Sequence, residues 1–91
     1  MSVVKSQVIV YSAHYCAYCV RAKRLLNHKG VEFEEILVDN NRSLRHEMER
    51  LCGRVTVPQI FIGERHIGGY DDMVKLNRKG LLDSMLGLDE S

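Results

Sequence analysis

Cys16 and Cys19, separated by Ala17 and Tyr18, are the residues of this chain best suited to do chemistry. Such a pair can attack and form disulfides through its thiolates, or it can supply half of a zinc site. Zinc needs two more ligands, usually a second cysteine pair or two histidines. The one other cysteine, Cys52, stands apart, and His14, His28, His46 and His66 form no cluster at ligand spacing. These histidines read as exposed polar residues, and no metal site is expected. Position supports the redox reading. The apolar run Val8-Ile9-Val10-Tyr11 precedes the pair, and Val20–Leu26 follows it with helical spacing and no breaker. Cys16 therefore sits where a strand gives way to a helix. The free N–H groups and positive dipole end there favour the thiolate over the thiol.

The elements that must hold this pair follow from the rest of the pattern. Val8–Tyr11 is a continuous apolar run, as in a strand buried on both faces. Cys19, Ala22, Leu25 and Leu26 form the apolar stripe of the first helix, with Arg21, Lys23 and Arg24 toward solvent and Gly30 as its stop. Val31–Val38 reads as the second strand, so that a strand, helix and strand fall within roughly thirty residues, a right-handed βαβ unit. Asp39-Asn40-Asn41 is turn chemistry, Ser43 is placed to cap a second helix, and Gly53 ends it. That helix aligns Leu44, Met48, Leu51 and Cys52 on one face. Pro58 stands at the start of Gln59-Ile60-Phe61-Ile62, and Gly63-Glu64 turns this run back into Arg65-His66-Ile67 as a hairpin. After Gly68-Gly69, a helix is predicted near Tyr70–Lys79, with Tyr70, Met73, Val74 and Asn77 on one side. Leu81, Leu82, Met85 and Leu86 suggest a short last helix, and Asp89-Glu90-Ser91 a frayed tail. The predicted order is βαβ, helix, ββ, helix.

With 91 residues the chain has length for one domain, expected over residues 1–91 with its core at about 7–87. Its 13 basic and 12 acidic side chains nearly balance, which argues against a nucleic-acid partner bound through net charge. No apolar run approaches a membrane span, so no membrane partner is expected. Met1-Ser2-Val3-Val4-Lys5 has none of the regions of a secretory signal. A cytoplasmic, reducing location is expected, where Cys-x-x-Cys is catalytic or metal-binding.

Three stretches in this order carry a resemblance: Cys16-Ala17-Tyr18-Cys19; Thr56-Val57-Pro58 followed by Gln59-Ile60-Phe61-Ile62; and Gly68-Gly69-Tyr70-Asp71-Asp72. Together they resemble the glutaredoxins, above all the bacterial dithiol type, over about Val8 to Leu86. The resemblance implies an α/β thioredoxin-like fold, with a four-stranded mixed sheet flanked by helices. It implies a glutathione-dependent thiol–disulfide oxidoreductase that reduces protein–glutathione mixed disulfides and protein disulfides, acting as a monomer. Glutathione is then the co-substrate, and glutathionylated or disulfide-containing proteins are the partners.

Each matching residue inherits an implied role. Cys16 would be the nucleophile that takes glutathione onto itself, and Cys19, more buried, would resolve it. Thr56-Val57-Pro58 looks like the family's cis-proline loop, where the Val57 main chain pairs with the cysteinyl residue of glutathione. Tyr18 would also be among the glutathione-binding residues. Gly69, Tyr70, Asp71 and Asp72 would receive its γ-glutamyl end, although plain capping of the third helix also accounts for both aspartates. Arg54 matches a position that meets the glycine carboxylate.

The chain departs from the pattern at four places. Ala13 stands where most dithiol relatives carry a lysine, Tyr15 replaces a small hydroxyl residue, and Tyr70 stands where some have a cysteine. Ala17 replaces the proline of Cys-Pro-Tyr-Cys. The loss of the lysine should raise the Cys16 pKa unless Arg54 or His14 compensates. Ala17 opens an alternative, since family members without that proline sometimes hold a [2Fe–2S] cluster between two protomers. Cys16 of each copy and two glutathiones would then ligate the iron. The retained Cys19 favours the enzyme. Cys52 reads as packing near a helix end.

Overall fold

The computed structural model describes residues 7–88. Strand β1, Val8–Ser12, turns Val8 and Val10 to one side and Ile9 and Tyr11 to the other, and both sides are covered. Successive strand residues point to opposite faces, so a strand buried on both must be apolar throughout, as this one is. β1 pairs in parallel with β2, Glu34–Leu37, and antiparallel with β3, Gln59–Ile62; β3 pairs antiparallel with β4, Arg65–Gly68. The result is a mixed four-stranded sheet in the order β2-β1-β3-β4, which is the thioredoxin-like arrangement expected from the sequence. The crossover between β1 and β2 is helix α1, Ala17–His28.

The two faces carry separate cores. On one, Val8, Val10, Ile60 and Ile62 meet Ala22 and Leu26 of α1, Met73 of α3 (Tyr70–Arg78) and Leu82 of α4 (Leu82–Met85). On the other, Tyr11, Val38 and Phe61 meet Met48 of α2, Arg42–Cys52. The Tyr11 and Phe61 rings pack edge to face at 5.7 Å. Burial on both faces removes most of the apolar side chains of β1 and β3 from water, at about 25 cal/mol per Å2 of apolar area. The Cys16 loop therefore springs from a rigid strand.

Several boundaries differ from the sequence-based expectation, each for a physical reason. β2 begins at Glu34 rather than Val31, because pairing starts only where Glu34 comes opposite Ile9. The Val31 N–H instead closes onto Leu26 O at the end of α1. Asn41, not Ser43, caps α2: its Oδ1 accepts the Leu44 N–H at 3.0 Å, and Ser43 lies inside the helix. Leu51 is half-exposed rather than on the buried stripe, which narrows to Met48 with Leu44 and Cys52 beside it. Gly53 ends α2 in the left-handed region as predicted. The hairpin turns at Gly63-Glu64, and β4 extends one residue further, to Gly68. α3 ends at Arg78. Met1–Lys5 and Asp89-Glu90-Ser91 lie outside the described residues.

Candidate active site

Between Ser12 of β1 and Ala17 of α1 the chain turns once, and this turn presents Cys16. Residue Cys16 is extended, with φ −112° and ψ 109°, and it is the N-cap of α1. Its Sγ accepts the Cys19 N–H at 3.1 Å, so a sulfur does the work that a serine or aspartate oxygen usually does at a helix start. A negative charge on that sulfur is stabilised by the same N–H and by the helix dipole. Cys19 lies one turn in and is fully buried, and the sulfurs of Cys16 and Cys19 are in disulfide contact with a Cα–Cα separation of 5.2 Å. Access thus divides the pair: Cys16 is the sulfur that can meet a substrate.

The turn is tied down from outside. His14 donates its backbone N–H to Asp39 Oδ2 at 3.0 Å, and its Nδ1 lies 2.9 Å from the same oxygen. These contacts, the side-chain one first, hold the Asp39 carboxyl below its usual range. His14 is thereby committed to Asp39 rather than to Cys16. Tyr15 sits at φ 56°, in the left-handed region, with its ring fully exposed.

Beside α1, two further segments form a cleft of about 270 Å3. One is Arg54 and the loop Thr56-Val57-Pro58, in which the Val57–Pro58 peptide is cis. The other is the start of α3, with Gly69, Tyr70, Asp71 and Asp72. The segments nearly touch, since a Cβ built on Gly69 would lie 3.4 Å from Pro58 O. Tyr18 joins the cleft to the first turn of α1; its ring lies 6.1 Å from that of Tyr70, with the Arg21 guanidinium 5.3 Å from its centroid. All nine residues expected to bind glutathione line this one cleft, although they come from three distant parts of the chain.

Of the two aspartates, Asp72 makes the helix-capping contact. Gly69 is the N-cap of α3, and Asp72 Oδ2 reaches back to accept the Gly69 N–H at 2.9 Å, the one half of a capping box that a glycine N-cap allows. The same oxygen accepts from Arg54 Nη1 at 3.0 Å. The Gly69 N–H first, and the Arg54 guanidinium second, hold the Asp72 carboxyl below its ordinary range. Arg54 therefore stands at the α3 end of the cleft, paired with Asp72. Gly68, at φ 118°, is where only glycine fits: a Cβ there would run into the Asp72 carboxylate.

Sequence reasoning did not single out Gln59 or His66. Gln59 also lines the cleft and is almost wholly buried, and His66 Nε2 lies 2.7 Å from its Oε1. The signal was a polar residue opening an apolar strand, because a buried amide must find partners. Cys52 is partly buried against the α2-side core, and its Sγ donates weakly to Arg54 O at 3.5 Å. Among the described residues, no three His, Cys, Asp or Glu side chains gather as a metal site would require.

The family model described as Glutaredoxin matches residues 8–67 of this chain. The chain belongs to the glutaredoxin family. It is 52% identical over 79 residues to a glutaredoxin of Pseudomonas aeruginosa, covering 87% of this chain and 94% of that one. It is 49% identical over 81 residues to glutaredoxin 3 of Escherichia coli strain K12, covering 89% and 98% of the two chains. Among solved structures, a buckwheat glutaredoxin–glutathione complex superposes with a TM-score of 0.83 at 34% identity, covering 90% of this chain and 77% of that one. A glutaredoxin with an accessible N-cap cysteine and a buried partner is a thiol–disulfide oxidoreductase. No helix among the described residues is long and apolar enough to cross a membrane.

Proposed function

We propose that the protein is a cytoplasmic, monomeric, single-domain enzyme that uses glutathione to reduce protein–glutathione mixed disulfides and protein disulfides. The observation that carries this reading is the cleft shared by Tyr18, the cis-proline loop and the start of α3, with Tyr18 in the first turn of the helix that Cys16 caps. It has a place for each part of glutathione. The γ-glutamyl group carries both a carboxylate and an ammonium, which suit the N–H groups opening α3 and the Asp72 carboxylate. Main-chain pairing at Val57 holds the cysteinyl residue, and Arg54 keeps donors for a carboxylate beyond the one given to Asp72.

In the reaction, the Cys16 thiolate attacks the glutathione sulfur of a mixed disulfide. A new Cys16–glutathione S–S bond forms, the old one breaks, and the client leaves as a thiolate that takes a proton. A second glutathione thiolate then attacks the bound glutathione sulfur, which releases oxidised glutathione and returns Cys16 as thiolate. Alternatively, the Cys19 thiolate attacks Cys16 Sγ, releases glutathione and leaves the internal disulfide for two glutathiones to reduce. The helix N-terminus favours Cys16 as attacking group and as leaving group, and exchange is fastest when the leaving thiol is acidic. Glutathione reductase and NADPH would regenerate the glutathione.

Turnover of a glutathione mixed disulfide by wild type, Cys16→Ser and Cys19→Ser tests this. Loss of Cys16 should abolish activity, while Cys19→Ser should keep the route through a second glutathione. Activity in Cys16→Ser would overturn the assignment.

A second reading rests on Ala17 at the first position of α1, beside the accessible Cys16. One thiolate from each of two copies, with two glutathiones, meets the four-sulfur demand of a [2Fe–2S] cluster, which would supply electron transfer or cluster delivery. Anaerobic purification giving a coloured, glutathione-dependent dimer would support it. A colourless monomer after reconstitution with iron and sulfide would reject it.

A further inference from the structure

We propose that His66 is a positioning residue for the cleft: through Gln59 it fixes Thr56 as a hydrogen-bond donor toward bound glutathione. The inference rests on the glutathione reading above. It follows from which atoms can donate. Gln59 is 1% exposed, so its amide must be satisfied inside the protein. One amide atom lies 3.0 Å from Thr56 O, a carbonyl that only accepts, so that atom is the NH2 nitrogen. The same nitrogen lies 3.2 Å from Thr56 Oγ1, and its second hydrogen is donated there. Gln59 Oε1 is left to face His66 Nε2 at 2.7 Å, so that nitrogen must carry a proton.

The direction of the chain is thus set at every link. His66 donates to Gln59, Gln59 donates to Thr56, and the Thr56 hydroxyl, already accepting, has its own proton free. Thr56 is exposed and lines the cleft, so that proton meets a ligand acceptor, a carbonyl or carboxylate oxygen. Burial, and then the nearby Arg54 charge, push the His66 pKa below its ordinary value, with Asp72 acting the other way. The ring also packs against Phe61 at a centroid distance of 5.0 Å. A register shift between Ile60 and Phe61 brings His66 into place. Ile60 pairs with Gly68 but Phe61 pairs with His66, so Ile67 is skipped and the His66 side chain is re-aimed toward Gln59.

The test is a double-mutant cycle on the full chain, with glutathione KM and kcat read in mixed-disulfide turnover. His66→Phe keeps a ring beside Phe61 but has no donor, and Thr56→Val removes the hydroxyl at nearly constant shape. Each should raise the KM for glutathione about five- to tenfold, the worth of one hydrogen bond, with kcat within about twofold. The double variant should be no worse than the poorer single, because both remove the same bond. His66→Gln, which retains an N–H donor, should recover most of the affinity. Multiplying KM effects, or an unchanged KM in His66→Phe, would overturn the proposal. If His66→Phe does not fold, Gln59→Leu replaces it in the cycle with the same two outcomes. Wild-type turnover with glutathione is the control: its absence would defeat the function reading, while additivity with wild-type turnover intact defeats only the role of His66.

Discussion

Arg54 Nη1 and Asp72 Oδ2 lie 3.0 Å apart, and that same oxygen closes the N-terminus of α3 through the Gly69 N–H. One carboxylate oxygen therefore holds a helix start and a cationic side chain in the same cleft. Replacing it by degrees separates the two duties. Asp72→Asn keeps an acceptor for Gly69 but loses the charge. It should raise the glutathione KM about tenfold, with the melting temperature changed by only about 2 °C. Asp72→Ala should show the same KM change and also lose about 1 kcal/mol of stability as the cap disappears. Kinetics and thermal unfolding on the two variants measure these effects separately.

The same contacts set an acid dependence. The Asp72 carboxyl is held low by Gly69 and Arg54, Glu35 by Lys23 and Asp39 by His14. For a depressed carboxylate the stabilisation is complete above the unfolded value, about pH 4, and is lost as pH falls through the folded value. In that window the unfolded chain binds more protons, so stability falls with falling pH. Urea unfolding at several pH values should show a shallower acid loss in Asp72→Asn than in wild type, with no difference in slope near neutrality.

Gly68 combines a left-handed backbone with a Cβ position already taken by the Asp72 carboxylate. Gly68→Ala should cost about 2 kcal/mol or more, since strain and displacement of Asp72 act together. Its glutathione KM should rise as in Asp72→Ala. A variant with wild-type melting and wild-type KM would contradict both parts.

Ala17 opens α1, and Cys16 before it is extended, as a residue preceding proline must be. Proline is favoured at a helix's first position, where its missing N–H is no loss. Ala17→Pro should therefore raise stability by about 0.5 to 1 kcal/mol by restricting the unfolded chain, with turnover within about threefold of wild type. Denaturant midpoints and initial rates check the two halves.

Local patterns carried the elements well. The apolar run of β1, the breaker-free helix after Cys16 and the Gly63-Glu64 hairpin are all decided by neighbours in sequence, and each forms as expected. What was not legible depends on tertiary neighbours. Ser43 is a good capping residue, but Asn41 lies nearer to where the chain leaves β2 and takes the Leu44 N–H first. Leu51 fits the apolar stripe of α2, yet only the narrower arc at Met48 meets the sheet. The nine expected cleft residues do come together, but their pairings were hidden. Arg54 and Asp72 are 18 apart in sequence, and no local rule joins them. His66 and Gln59 meet through a strand register that shifts by one residue at Phe61.

The sulfur that caps α1 makes chemistry and folding share one bond. If the first helical turn stabilises the Cys16 thiolate, then by thermodynamic linkage the thiolate stabilises that turn equally. Each time Cys16 gives its charge to a new S–S bond, the helix it opens loses that support until the next glutathione restores it. The alkylation rate of the buried Cys19 in the reduced protein would then report the opening of a single helical turn, well before heat or urea unfolds the sheet behind it.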